Sequence, residues 1–393
     1  MTAKGYRVRQ EPVRWVLMVV IGMLLMGCST APEPTVVATR TPKPTFTVVT
    51  MLATSTPEPT ATTEATATAT PTSTPIPTPT VPPDYNVLTG ETVADPAVLQ
   101  RRPLLVRIGN DAEVRPQSGL SEADIVYEEA MDGWYITRFT AVIWSKDPAV
   151  LRPIRSARLF TIDLGFMYDG ALVHSGANDQ VRWLLSQTPL TDLDEYFHGE
   201  PYYWVAPEGA WKDYAWMGRA TTSAQRVRAY MAKTGKEKAI QLPGFSFSKP
   251  GDLPPTGAPA GYIHIPFPRR AVVEFRYDAG SGLYRRWVYG TPHLDALNGE
   301  QLSAANVIVH YAEYKDAGVK DSAGSPTYSI QASGEGRAQL FRDGVMIEGK
   351  WVWDGQGDFC RYLQLDGTPL TLRPGQSWIE VVPIEYEIEY KER

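Results

Sequence analysis

Cysteine and histidine are scarce, two and five in 393 residues. A disulfide scaffold is thereby excluded. The histidines (His174, His198, His264, His293 and His310) are scattered, and no Cys-x-x-Cys pair occurs, so no metal centre is expected. A glycine-rich phosphate loop of either common kind is also missing, and no cofactor is expected. Positive charge is in deficit: 38 Lys and Arg against 44 Asp and Glu leave a net charge of −6. That balance lacks the basic footprint nucleic-acid binding needs. Long apolar runs are absent too, since Trp15–Met26 is about half of what a membrane-spanning helix requires.

What the N-terminus does have is a basic head ending at Arg14, that short apolar run, and then Leu25-Met26-Gly27-Cys28. The pattern reads as a signal peptide over 1–27. The four residues resemble a bacterial lipobox, with Met26 in place of the usual smaller residue, a small Gly27 at the cleavage point and the Cys28 thiol as lipid acceptor. Lipidation of Cys28 with palmitate or a similar chain would leave Cys360 without an intrachain partner. Cys360 lies in a strand-like setting and reads as a small buried apolar residue rather than a nucleophile. From Cys28 to residue 83 the chain is dominated by Thr, Pro, Ala and Ser, a disordered linker with too little apolar surface to fold. In polyproline II such a segment could reach at most about 170 Å.

The remainder reads as α+β, an N-terminal α/β domain over 84–248 followed by a mostly β domain over 249–393. In the first, 104–108, 123–128, 139–144 and 171–174 read as strands, while 157–168, 180–185 and 221–231 read as helices, the last with a Thr/Ser start signal. A Pro- and Gly-rich passage at 249–261 precedes a run of strands at 271–277, 283–289, 306–312, 338–342, 350–353 and 378–383. Asp-Gly pairs at 343–344 and 366–367 mark tight turns.

Three segments belong together: residues 115–128, Thr137-Arg138-Phe139 with 152–158, and Val173-His174-Ser175-Gly176-Ala177. With 306–309, 349–353 and 374–379 they resemble the YerB-like lipoproteins, a bacterial family classed as domain of unknown function 3048, over about 95–385. The resemblance implies a secreted, lipid-anchored envelope protein with an N-terminal α/β part and a β-rich C-terminal part, and it supplies no activity. The chain departs from the expected pattern at 218–223, where Gly-Arg-Ala-Thr-Thr-Ser replaces a Pro-His-Asn-like element.

Arg152, Arg155 and Arg158 recur at spacing three just before and into a helix start. A helix N-terminus carries about +0.5 charge, so arginines clustered there repel it unless an anion intervenes. Ser156 reads as the cap. One reading is an anion or ligand site at Arg155 and Arg158, with Arg152 and joined by Arg138 and Arg115. The other is that Glu128, Glu129 or Asp132 supplies the anion internally. His174, Ser175 and Asp179 follow a strand and precede a helix, where sites on α/β sheets lie. A structural loop fits the same residues. An aromatic stretch, 196–206 with Trp211, Tyr214 and Trp216, fits either sugar stacking or core packing.

These readings converge on an extracytoplasmic protein, anchored to the membrane by an N-terminal lipid, that binds an anionic or glycan component of the cell envelope, peptidoglycan among the candidates. The alternative is a hydrolase or transferase acting on peptidoglycan or an exported glycan, with Glu128, His174 or Asp179 as acid or base.

Overall fold

The computed structural model describes residues 81–206, 218–268, 271–321 and 323–392. The segment read as a signal peptide, Cys28, nearly all of the stretch read as a linker, and Trp211, Tyr214 and Trp216 lie outside the described residues. Among the described residues no helix is long and apolar enough to cross a membrane.

The protein is α+β: mostly strands, with three α-helices among the described residues. The first strands are β1 (Leu104–Gly109), β2 (Ile125–Ala130), β3 (Thr137–Ile143), β4 (Ala171–His174) and β5 (Thr191–Asp194). The helices are α1 (Leu159–Tyr168), α2 (Asp179–Ser186) and α3 (Ala224–Lys233). Asn178 caps α2 by accepting Val181 N–H (2.8 Å), and Ser223 caps α3 by accepting Arg226 N–H (3.2 Å). Ser156 does not cap α1. The cap position is Arg158, whose N–H goes to Thr161 Oγ1 (3.0 Å), while the Ser156 hydroxyl donates to Ser175 O (3.2 Å).

One mixed sheet of eleven strands runs through both halves of the chain. Ser377–Pro383 lies parallel to both Asn306–Ala312 and β2, and from β2 the order continues β3, β1, β4, β5. On the far side, Gly334–Arg342 and Val345–Trp353 form a hairpin. Its turn is Asp343-Gly344, with φ of 51° and 77°, the doubly left-handed geometry that an Asp-Gly pair accepts. A second sheet of six strands contains Val273–Asp278 and Leu283–Val288.

Because side chains alternate along a strand, each long strand feeds two cores. Val106, Ile108, Phe139 and Trp378 face the six-stranded sheet and α3, where they meet Phe275, Tyr284 and Val227. Leu105, Tyr127, Val142 and Ile379 face α1 and α2. There Cys360 is buried, and that burial pushes its thiol up to about 12, which leaves it inert.

Half-buried Asp163 on α1 has its carboxyl raised by burial from an ordinary 3.8 to about 7. The folded state therefore holds this proton more tightly than the unfolded chain. Its stabilising contribution is complete below about pH 4 and is lost as pH rises through 7. Asp163→Asn should flatten that slope in urea titrations and gain about 1–2 kcal/mol at pH 8. Three pH units would represent about 4 kcal/mol, reduced here by partial solvation.

Candidate functional site

The residues from Leu151 to Ala157 run extended over the ends of the sheet rather than as part of a helix. Leu151 pairs with Thr222, Ile154 N–H reaches Ala220 O (2.8 Å), Arg155 N–H reaches Arg107 O (2.8 Å), and Ala157 N–H reaches Gly176 O (2.9 Å). A Cβ on Gly109 would lie 2.6 Å from Arg155 Cγ, so the bare glycine gives the arginine stem its path. The outcome is a cleft of about 330 Å³ beyond the ends of β2 and β4, whose walls include Arg138, Arg155, Arg158, Asp132, Asp321 and Trp204.

Alternation explains which acids reach these arginines. Glu128 and Glu129 are neighbours on β2 and point to opposite faces. Glu129 faces Arg107, with Nη1 to Oε1 at 2.5 Å and both side chains buried. Asp132, just past the strand, takes Arg158 Nε at 2.6 Å, and Asp111 lies 3.6 Å from Arg155 Nη2. Asp321 Oδ1 accepts the backbone N–H groups of Ala323 and Ser325 (2.9 and 2.8 Å). Arg138 differs from these arginines. Only 3% exposed, it donates to Ser156 O (3.2 Å), its Nε–H has no partner, and no carboxylate lies within ion-pair distance among the described residues. Burial, then Arg158 and Arg155, push its pKa well below the usual arginine range. Burial likewise raises Glu129 and Asp132 against the pull of Arg107 and Arg158.

The other candidates lie elsewhere. Arg152 is half-buried and exchanges both backbone hydrogen bonds with Ser118 (2.9 and 3.2 Å), away from this cleft. Arg115 donates to Asn110 Oδ1 and Asn110 O (both 2.8 Å), its pKa lowered to about 10 chiefly by burial, and it lines a separate cleft of about 380 Å³ with Tyr289 and His293. His174 is fully buried and does not line the arginine cleft, although Ser175 does. Its Nε2 is 2.6 Å from Asp192 Oδ1 and its Nδ1 is 2.9 Å from Gly176 O, so both ring nitrogens face acceptors and neither is open to a substrate.

Glu128 is fully buried on the opposite face, at 2.5 Å from Arg286 Nη2. Two strands separate β2 from β4, about 14 Å at the usual spacing, so Glu128 and His174 cannot share a substrate bond. Asp179 is exposed in the first turn of α2. The three acid or base candidates are not brought together. No group of three or more His, Cys, Asp or Glu with metal-holding geometry occurs among the described residues.

The aromatic stretch divides between its two readings. Tyr202 is core, but Tyr196 and Phe197 are 72% and 64% exposed, and Trp204 forms part of the cleft wall. Sequence reasoning passed over Arg107, Asp111 and Asp321, which complete the charge pattern, and Glu380, Arg286 and His293, which surround Glu128. Nothing local marks them: Arg107, Arg286 and Glu380 are placed by strand pairing, and Asp111, His293 and Asp321 by loops that reach the same place only in the folded chain.

Comparison with known proteins places this architecture. Residues 88–237 match the model described as "Protein of unknown function (DUF3048) N-terminal domain", and residues 263–379 match the DUF3048 C-terminal domain. The chain belongs to the DUF3048 family. It is similar to "Putative lipoprotein YerB" of Bacillus subtilis (strain 168), 28% identical over 294 residues, which are 73% of this chain and 82% of that protein. The crystal structure of the YerB protein from Bacillus subtilis aligns with a TM-score of 0.65 at 25% identity, covering 77% of this chain and 99% of that one. Within the DUF3048 chain the arginine cleft draws on both matched segments, Arg138, Arg155 and Arg158 from the first and Asp321 from the second.

Proposed function

We propose that this DUF3048 protein is an extracytoplasmic lipoprotein, tethered through Cys28 and its Thr/Pro linker, that binds an acidic group on a cell-envelope glycan in the arginine cleft. The signal sequence and lipobox-like run support the location, as does the lipoprotein name of the Bacillus subtilis relative. Arg138 carries the binding reading. A guanidinium removed from water with no carboxylate in ion-pair contact, and only Asp111, Glu129 and Asp132 acting on it at longer range, is costly to keep charged, and a ligand carboxylate or phosphate in the cleft would relieve it. Trp204 in the wall suits the apolar face of a sugar ring.

Calorimetric titration of the full-length protein in detergent tests the reading with N-acetylmuramic acid and N-acetylglucosamine, which differ by a carboxylate-bearing lactyl group. The acidic sugar should bind at least tenfold tighter, and Arg138→Met should remove that preference. Equal affinity for the two sugars would overturn the assignment.

A further inference from the structure

The arginine cleft does not end at its own walls. Ser156, Arg158 and Asp321 also line a second cleft of about 490 Å³, whose other walls include Asn178, Gln180 and Lys320. Gln180 Oε1 there is buried without a hydrogen-bond partner. The lining of this second cleft mixes the amides of Asn178 and Gln180 with the Arg158 and Lys320 cations and the Asp179 and Asp321 carboxylates, a charge-balanced set of donors and acceptors suited to neutral hydroxyl and acetamido groups rather than to a second acidic group.

An aromatic ledge adjoins the arginine cleft beside Ser175 and Trp204. Trp204 Nε1–H donates to Glu195 Oε1 (3.1 Å), and the hydroxyl of Ser175, another wall residue of the arginine cleft, donates to Glu195 Oε2 (3.3 Å). Tyr196 and Phe197 follow directly, their rings perpendicular at 4.9 Å. Arg182 sits against both rings, 5.1 and 5.7 Å from their centroids, and its Nε–H is held by buried Asp194 Oδ2 (2.8 Å). Asp194 Oδ1 in turn accepts Tyr196 N–H (3.1 Å). Two large rings are thus fixed in place with their surfaces left in water. Exposed apolar groups scattered singly need no explanation, but a held pair continuous with a charged cleft does.

We infer that the two clefts and the ledge form one groove for an oligosaccharide of at least three rings, with the acidic group at the central position. This rests on the glycan reading above and adds to it: the protein reads a polymer strand rather than a free acidic sugar. A single ring fills the arginine cleft and leaves Gln180 and the Tyr196–Phe197 pair untouched.

The test compares N-acetylmuramic acid with a soluble, uncrosslinked tetrasaccharide of alternating N-acetylglucosamine and N-acetylmuramic acid, using the full-length protein. The tetrasaccharide should bind at least tenfold tighter. Tyr196→Ser with Phe197→Ser, both on the surface, should erase most of that gain and leave monosaccharide affinity within twofold. Gln180→Ala should erase a smaller part, about threefold. Equal affinity for the two ligands would overturn the extended groove while leaving the acidic-sugar site standing. If neither ligand binds, the underlying reading itself has failed. A tetrasaccharide gain unchanged in the ring variants would remove the ledge from the groove.

Discussion

Arg286→Met is expected to destabilise the protein by about 3–5 kcal/mol, a large fraction of the roughly 5–15 kcal/mol that holds a folded protein together. Arg286 is fully buried between the sheets, with its guanidinium 4.8 Å from the Trp378 ring centroid and 5.3 Å from that of Phe139. It donates to Glu128 Oε2 and touches His293 Nδ1. Glu128 sits opposite Glu380 on the adjoining parallel strand, and burial together with Glu128 pushes the Glu380 carboxyl well up, so that it holds its proton. Burial and Arg286 push His293 well down, so the ring stays neutral. The direct ion pair of the cluster is then Arg286 with Glu128, and Arg115 acts on it through space as a second cation. Removing Arg286 leaves the Glu128 carboxylate with only Asn110 and Thr137 as donors. Urea denaturation measures the effect. Adding Glu128→Gln to Arg286→Met should recover at least half of the loss, because the buried charge then disappears with its partner. A single variant as stable as the parent would show that the pair does not hold the two sheets together.

That cluster also marks where sequence reasoning stops. Strand existence was legible: Ala171–His174 follows from its apolar run, and the Gly334–Trp353 hairpin follows from Asp343-Gly344 between two alternating segments. Partner choice was not. Nothing local says that Ser377–Pro383 inserts beside β2, 250 residues away in the chain, yet that pairing makes one sheet of the two halves and sets Glu128 against Glu380. Adjacent arginines hide the same information. Arg285 is exposed and bound to Asp278, while Arg286 is fully buried, and alternation alone cannot say which of the two points inward. The arginine site was legible in part because its residues cluster near one helix start. The spacing of three suggested a shared direction, but the segment is extended: Arg152 pairs through its backbone with Ser118, outside the cleft, while Arg155 and Arg158 meet Arg138 from β3. Tyr196 and Phe197 sit six and five residues before buried Tyr202, and composition alone could not separate ledge from core.

Arg138→Met should raise the stability of the unliganded protein by about 1–3 kcal/mol and weaken acidic-sugar binding at least tenfold. Methionine fills a similar length without a charge to desolvate, and it removes a cation from beside Arg155 and Arg158. The loss to set against this is one hydrogen bond to Ser156 O, about 1 kcal/mol. Arg155→Met provides the contrast. It strips nearly buried Asp111 of its cation, and so it should destabilise in the absence of any ligand. Chemical denaturation of both variants, with and without N-acetylmuramic acid, separates the cases. Ligand at a hundredfold excess over the parent's Kd should stabilise the parent by about 2.7 kcal/mol and a tenfold weaker Arg138→Met by about 1.4 kcal/mol at most, so that ligand cuts the variant's stability advantage by at least about 1.3 kcal/mol. A methionine variant that is less stable under both conditions would mean that Glu129 and Asp132 already balance Arg138 through space, and that its charge serves the fold. A stability gain with unchanged sugar affinity would mean that the guanidinium is strained but idle. Only gain and loss together identify a cation kept at the expense of stability because a ligand completes it.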